Sequence, residues 1–128
     1  MTATGTLHIL HIEDDPVDAE LISIALLKSD LRCDIHLARS RKECIAALES
    51  GTFDLVLSDS HGHDFKGMDI LRLVHDHLPD TPFIFLSGSF DDTDPRRLKA
   101  GGAAECLLKD DHEALLPAIW RVLRSRSD

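Results

Sequence analysis

Five residues of this chain have the types that phosphoryl chemistry needs, and each stands at or just past the end of a short apolar run. Glu13 and Asp14 follow the first run, with Asp15 beside them, and Asp59 follows the third. Ser87 closes the fourth run and Lys109 follows the fifth. If the runs are strands of one open parallel sheet, these residues converge on its carboxyl rim, where such sheets bind ligands. Glu13, Asp14 and Asp59 sum to -3 and Lys109 returns +1, leaving -2. Like charges ~4 Å apart repel by about 4 kcal/mol at the effective dielectric of a protein surface. A divalent cation would neutralise such a site. An all-oxygen ligand set favours hard Mg²⁺, which keeps several waters and accepts phosphate. A carboxylate nucleophile, a metal to polarise a phosphoryl group, a hydroxyl and an ammonium are the parts of phosphoryl transfer.

The elements that must position these groups are legible as an alternation. The apolar runs are Leu7–Ile12, Cys33–Ala38, Phe53–Ser58, Phe83–Ser87 and Ala104–Leu108. Several are apolar on both faces, as strands covered on each side are. Helical patterns lie between them. Asp15–Pro16 opens the first, with Asp15 as cap, Pro16 in the first turn, and Val17, Leu21, Ile24 and Ala25 at helical spacing. Ser40 to Glu43 has capping-box spacing, and Cys44, Ala47 and Leu48 form an apolar stripe ended by Gly51. A third helix is predicted over 68–76 with Ile70, Leu71 and Val74 inward, and a weaker one over 95–100 before Gly101–Gly102. The last opens at Asp110 or Asp111, with Leu116, Ile119, Trp120 and Leu123 as its buried stripe. Five strands alternating with five helices predict an α/β fold. Right-handed crossovers make its sheet parallel, with helices on both faces.

Four segments in order resemble the receiver domain of response regulators, the CheY-like family of two-component signalling. They are 8–16, 53–59 with Gly67 eight residues on, 82–88, and 102–109. The resemblance covers roughly 7–124 and implies the (βα)5 flavodoxin-like receiver fold. It also implies roles. Asp59 is the phosphoacceptor, Asp14 binds Mg²⁺ directly and Glu13 mostly through water. Asp59 joins the metal site, and His61 offers it a backbone carbonyl. Ser87 is the switch hydroxyl, and Lys109 pairs with Asp59 and then with the phosphate. The donor is a histidine kinase or a histidine phosphotransfer protein. The wording around Ser58–Asp59, Pro82–Phe83 and Lys109–Asp110 is similar to receivers working with PAS-containing sensor kinases.

The sequence departs from the family pattern at three positions. His63 stands where a proline is usual, so the loop after Asp59 is expected to be more mobile. Cys106 replaces the switch aromatic of the fifth strand, so output must use something else. Asp110 stands where a proline usually follows the lysine and brings a cis bond with it. A non-proline cis bond costs about 2.5 to 4 kcal/mol, so none is expected here.

Other residues have simpler readings. His61 and His63 form an HxH pair, but no third soft ligand lies near them in sequence, so zinc is disfavoured. His11, in the middle of an apolar run, reads as a core histidine satisfied by a hydrogen bond, with pH sensing as a minor alternative. Trp120 reads as helix packing. Arg121, Arg124 and Arg126 read as the cationic preference of a helix C-terminus.

Composition sets the outer limits. The 128 residues suit a single domain, 1–128, without a separate output domain, and 43% hydrophobic content suits a packed core. A net charge of -9 argues against general nucleic-acid or anionic-membrane binding. Met1–Gly5 lacks the features of a signal peptide, no run is long enough to span a bilayer, and three scattered cysteines without CxxC spacing read as reduced thiols. The expected setting is cytoplasmic. The expected role is a switch with only its own phosphorylation and dephosphorylation chemistry, not an enzyme with an outside substrate. It would signal through a downstream protein, serve a phosphorelay, or be a piece of a larger kinase. The alternatives are a non-phosphorylated interaction module on the same scaffold, or a metal-dependent aspartyl-phosphate phosphohydrolase. The second usually needs another acid/base carboxylate, where Ser60 and His61 stand.

Overall fold

The computed structural model describes residues 5–91 and 94–127, the last two by backbone alone. The expectations for Met1 to Thr4 and for the Arg126 side chain therefore lie outside the described residues. The strands are β1 (Leu7–Ile12), β2 (Cys33–Ala38), β3 (Leu55–Asp59), β4 (Phe83–Ser87) and β5 (Glu105–Leu108). The helices are α1 (Pro16–Leu27), α2 (Arg41–Ser50), α3 (Gly67–His77), α4 (Pro95–Ala100) and α5 (His112–Ser127). The sheet is parallel throughout, in the order β2-β1-β3-β4-β5. Order reverses between β1 and β3, which makes the crevice above these two strands the switch point of the sheet.

Alternation along the strands divides the core into two layers. Leu10, Ile12, Val56, Phe83 and Phe85 face α2, α3 and α4, meeting Cys44, Leu48, Ile70, Val74 and Leu98. Leu7, Ile9, Leu55, Leu57, Ile84 and Leu86 face α1 and α5, meeting Ile22, Leu26, Leu115, Ile119 and Val122. Every residue of β3 and β4 is buried, which explains why these strands read as continuous apolar runs.

Caps set several helix starts. Asp15 Oδ1 accepts from the N–H groups of Val17 (2.8 Å) and Asp18 (3.1 Å), so the expected cap is present. Ser40 Oγ accepts from Glu43 N at 3.1 Å, and Glu43 Oε1 accepts from Arg39 N at 2.9 Å. The return half of the capping box thus lands one residue early. Asp111, not Asp110, caps α5, accepting from Ala114 N at 3.3 Å.

Two helix faces differ from expectation. In α1 the inward residues are Ala19, Ile22 and Leu26, while Val17 (63% exposed) and Leu21 (46%) point outward with Ile24. This helix is apolar on nearly every side, so periodicity does not single out a face. In α5 the buried residues are Leu115, Ala118, Ile119 and Val122, and Trp120 is 41% exposed. Starting the helix at His112 fixes that rotation, with Pro117 on its exposed side.

Candidate functional site

Strand register brings the acidic groups together. Ile12 pairs with Ser58 across β1 and β3, so Glu13 and Asp59, the next residue on each strand path, lie side by side. Asp59 pairs with Leu86 and Ser87 with Leu108, which places Ser87 and Lys109 further along the same rim. Asp59 and Ser87 are the last residues of their strands, not the first of the loops. Strand geometry therefore fixes their backbones.

Glu13, Asp14 and Asp59 each offer a carboxylate oxygen within 4.8 Å of the others. Glu13 is 1% and Asp59 4% exposed, whereas Asp14 is half-buried. Lys109 Nζ reaches into the group, 2.9 Å from Glu13 Oε1 and 3.4 Å from Asp59 Oδ2. It also lies 2.9 Å from Asp18 Oδ2, on the first turn of α1. Three carboxylates therefore surround one ammonium, Glu13 and Asp18 by hydrogen bond and Asp59 by charge. Burial pulls the Lys109 amine toward neutrality. The hydrogen bonds to Glu13 and Asp18, with the charges of Asp59 and Glu13, outweigh it and hold the amine above the ordinary lysine range. Burial pushes Glu13 up to about 7, with the Asp59 charge adding to it and Lys109 and the Asp15 N–H opposing it. This excess of confined negative charge is what a hard cation would relieve, and the oxygen-only donor set suits Mg²⁺ over softer metals.

The loop after β3 is tied down despite its missing proline. His63 N donates to Asp14 Oδ2 at 2.7 Å, and Gly62 N donates to Phe65 O at 3.0 Å. Gly67 N donates to Ser60 O at 3.0 Å, and Phe65 is buried beneath the loop. His61 N donates to Asp59 Oδ1 at 3.1 Å, so its backbone adjoins the Asp59 carboxylate. Its ring Nδ1 lies 3.0 Å from Ser60 Oγ. Among the described residues, the two histidine rings do not join the cluster of possible metal ligands.

Ser87 Oγ donates to Ser89 O, inside its own loop. Its backbone carbonyl accepts from Lys109 N at 2.8 Å. Cys106 is half-buried and its Sγ lies 3.8 Å from Pro95 O, linking β5 to the start of α4. Burial raises its thiol to about 11. No cis peptide bond occurs among the described residues. Arg121 pairs with Glu105 at 3.4 Å.

His11 departs from expectation. It is buried on the α1 side of β1, but its Nε2 has no hydrogen-bond partner among the described residues. Burial and the nearby Lys109 charge lower its pKa to about 4, with Asp18 opposing. Asp18 itself is the site residue that sequence reasoning missed. Its one signal is an acid on the first helical turn, three residues past the cap, over the same rim.

Comparison with known proteins agrees with this geometry. The family model described as response regulator receiver domain matches residues 9–120. The chain is 31% identical over 119 residues to the two-component response regulator ORR23 of Oryza sativa subsp. indica, covering 90% of this chain and 17% of that protein. It is 29% identical over 119 residues to the cell cycle transcriptional regulator CtrA of Caulobacter vibrioides, covering 92% of this chain and 51% of that one. It thus spans about half or less of the length of these relatives. The signal receiver domain of an HD domain-containing protein from Pseudomonas fluorescens superposes with a TM-score of 0.82 at 26% identity, covering 96% and 98% of the two chains. No described helix is long and apolar enough to cross a membrane. A parallel five-stranded sheet, an acidic cluster at its switch point and the matched span together place the chain in the response regulator receiver domain family, a family of two-component signalling switches.

Proposed function

We propose that Asp59 accepts a phosphoryl group from a histidine kinase or histidine phosphotransfer protein, and that the phosphorylated domain signals by protein contact. The carrying observation is the placement of Asp59. Its carboxylate is buried, sits 3.4 Å from the Lys109 ammonium, and shares a cluster with Glu13 and Asp14. In this reading an Asp59 oxygen attacks phosphorus, the donor's imidazole leaves, and Lys109 compensates charge on the phosphoryl oxygens. Glu13, Asp14, Asp59 and the backbone carbonyl of His61 would hold Mg²⁺, which when bound polarises the phosphoryl group and offsets the acidic charge. Ser87 would leave Ser89 O and turn to the phosphoryl group. Residues 1–128 act as one receiver unit with no nucleic-acid or membrane contact of their own, in the cytoplasm. The chemistry is confined to the domain's own phosphorylation and dephosphorylation.

Incubation with acetyl phosphate and Mg²⁺ tests this. One phosphoryl group should appear by mass spectrometry, and Asp59→Asn should abolish it. An unmodified wild-type chain, or modification retained in the variant at another residue, overturns the reading.

A further inference from the structure

We infer that Asp18 is a positioning residue that restrains Lys109 and thereby sets the rate at which Asp59 is phosphorylated; the inference rests on the function proposed above. Lys109 Nζ lies within 3.4 Å of a carboxylate oxygen of each of Glu13, Asp18 and Asp59, with hydrogen bonds to the first two and a charge contact to the third. The two short contacts, 2.9 Å each, go to Glu13 and Asp18, while the acceptor Asp59 has the longest at 3.4 Å. The ammonium therefore sits closer to Glu13 and Asp18 than to Asp59. Glu13 belongs to the metal cluster, so cation binding would engage the charge that competes for Lys109 from that side. Asp18 is outside the cluster, so cation binding there would leave its 2.9 Å contact with Lys109 in place.

During transfer an Asp59 oxygen bonds to phosphorus, the bond from phosphorus to the acyl oxygen of acetyl phosphate breaks, and acetate leaves with that electron pair. The phosphoryl oxygens then need a Lys109 N–H. One of the three carboxylate contacts must yield, and the Asp18 contact holds the amine back. A cavity of about 100 Å³, lined by Asp18, Leu21, Ile22, Lys109, Asp110 and His112, adjoins this contact on the side away from Asp59. Because Asp18 sits on the first turn of α1, the same contact links the chemistry to a helix whose outer face carries exposed Val17 and Leu21.

The test is the phosphorylation rate against acetyl phosphate concentration at fixed Mg²⁺ for the wild type, Asp18→Asn and Asp18→Glu. Releasing Lys109 should raise the maximal rate of Asp18→Asn, on the order of fivefold. Asp18→Glu keeps the charge and should stay near the wild-type rate, which a merely structural role for Asp18 would not produce. An unchanged or lower maximal rate in Asp18→Asn overturns the inference. So does a change confined to KM, which reports only one less negative charge facing an anionic donor. If the wild type takes no phosphoryl group at all, the proposed function fails, and this inference with it. A phosphorylated wild type with an unaccelerated Asp18→Asn overturns the inference alone.

Discussion

The backbone N–H of His63 donates to Asp14 Oδ2 at 2.7 Å, joining the loop after β3 to the acidic pair after β1. The contact crosses 49 residues of sequence and needs no particular side chain at 63. The imidazole, 96% exposed, lies 3.9 Å from the same oxygen and adds little. His63→Ala should therefore change urea-unfolding stability by less than about 0.5 kcal/mol. His63→Pro deletes the donor to a charged acceptor and should cost about 1 to 2 kcal/mol. Equal costs for the two variants would show that the ring, not the N–H, holds the loop.

Metal binding should separate two adjacent aspartates. Asp14 belongs to the carboxylate cluster, whereas Asp15 is 3.1 Å or less from the two N–H groups it caps. Asp14→Ala should weaken Mg²⁺ binding much more than Asp15→Ala, which should mainly lower stability, by about 1 kcal/mol. Affinity should also depend on pH. Glu13 has its pKa raised to about 7 in the metal-free fold, so a proton must leave before the cation enters. Below that pH, affinity should fall up to about tenfold per unit, and Glu13→Gln should flatten the dependence. A flat wild-type profile, or equal losses for Asp14→Ala and Asp15→Ala in titration, would contradict this arrangement.

The parallel βα alternation and the acidic rim are legible because each site residue ends or follows an apolar run, whereas the strand order β2-β1-β3-β4-β5 appears only in the structure. Asp59, Glu13 and Lys109 meet because Ile12 pairs with Ser58 and Ser87 with Leu108. Helix rotation was less legible. Val17, Ala19, Leu21, Ile22, Ile24 and Leu26 all lie on α1, and the sequence does not say which of them the sheet takes. Nor does it show that Asp18 reaches Lys109, 91 residues away, since that depends on how the first turn of α1 sits over the rim. His11 fits a strand pattern, but the lack of a partner for Nε2 is visible only after packing.

Acid stability should carry opposing signs from His11 and Glu13. The folded pKa of His11 is about 4, below its ordinary 6.5, so its contribution is present above pH 6.5 and is lost as pH falls toward 4. Glu13 runs the other way. Its folded pKa of about 7 lies above the ordinary 4.5, so stability is gained as pH falls from 7 toward 4.5. The wild type should thus show a shallow net slope between pH 7 and 5 in chelator. His11→Leu should remove one side of the balance and make the protein more stable at pH 5 than at pH 7. A pH slope identical to wild type in urea unfolding would show that His11 is protonated equally in both states.

Output should run through the segment between β4 and α4, because that is where the Ser87 hydroxyl is anchored. Ser87 Oγ donates to Ser89 O, so a hydroxyl that turns toward a phosphoryl group on Asp59 must release the loop that starts at Gly88. The helix beyond has six residues, buries Leu98 and ends at Gly101 and Gly102. Gly102 has a φ of 121°, and a Cβ there would meet the His75 ring at 2.6 Å. Cys106 is too small to swing a surface between two states as an aromatic ring would, but its contact with Pro95 O ties β5 to the first residue of α4. Hydrogen exchange with and without beryllofluoride and Mg²⁺ should therefore change most across 87–101. A change confined to 59–67, with 87–101 unaltered, would mean that the domain stores a phosphoryl group without passing a signal to the segment between β4 and α4.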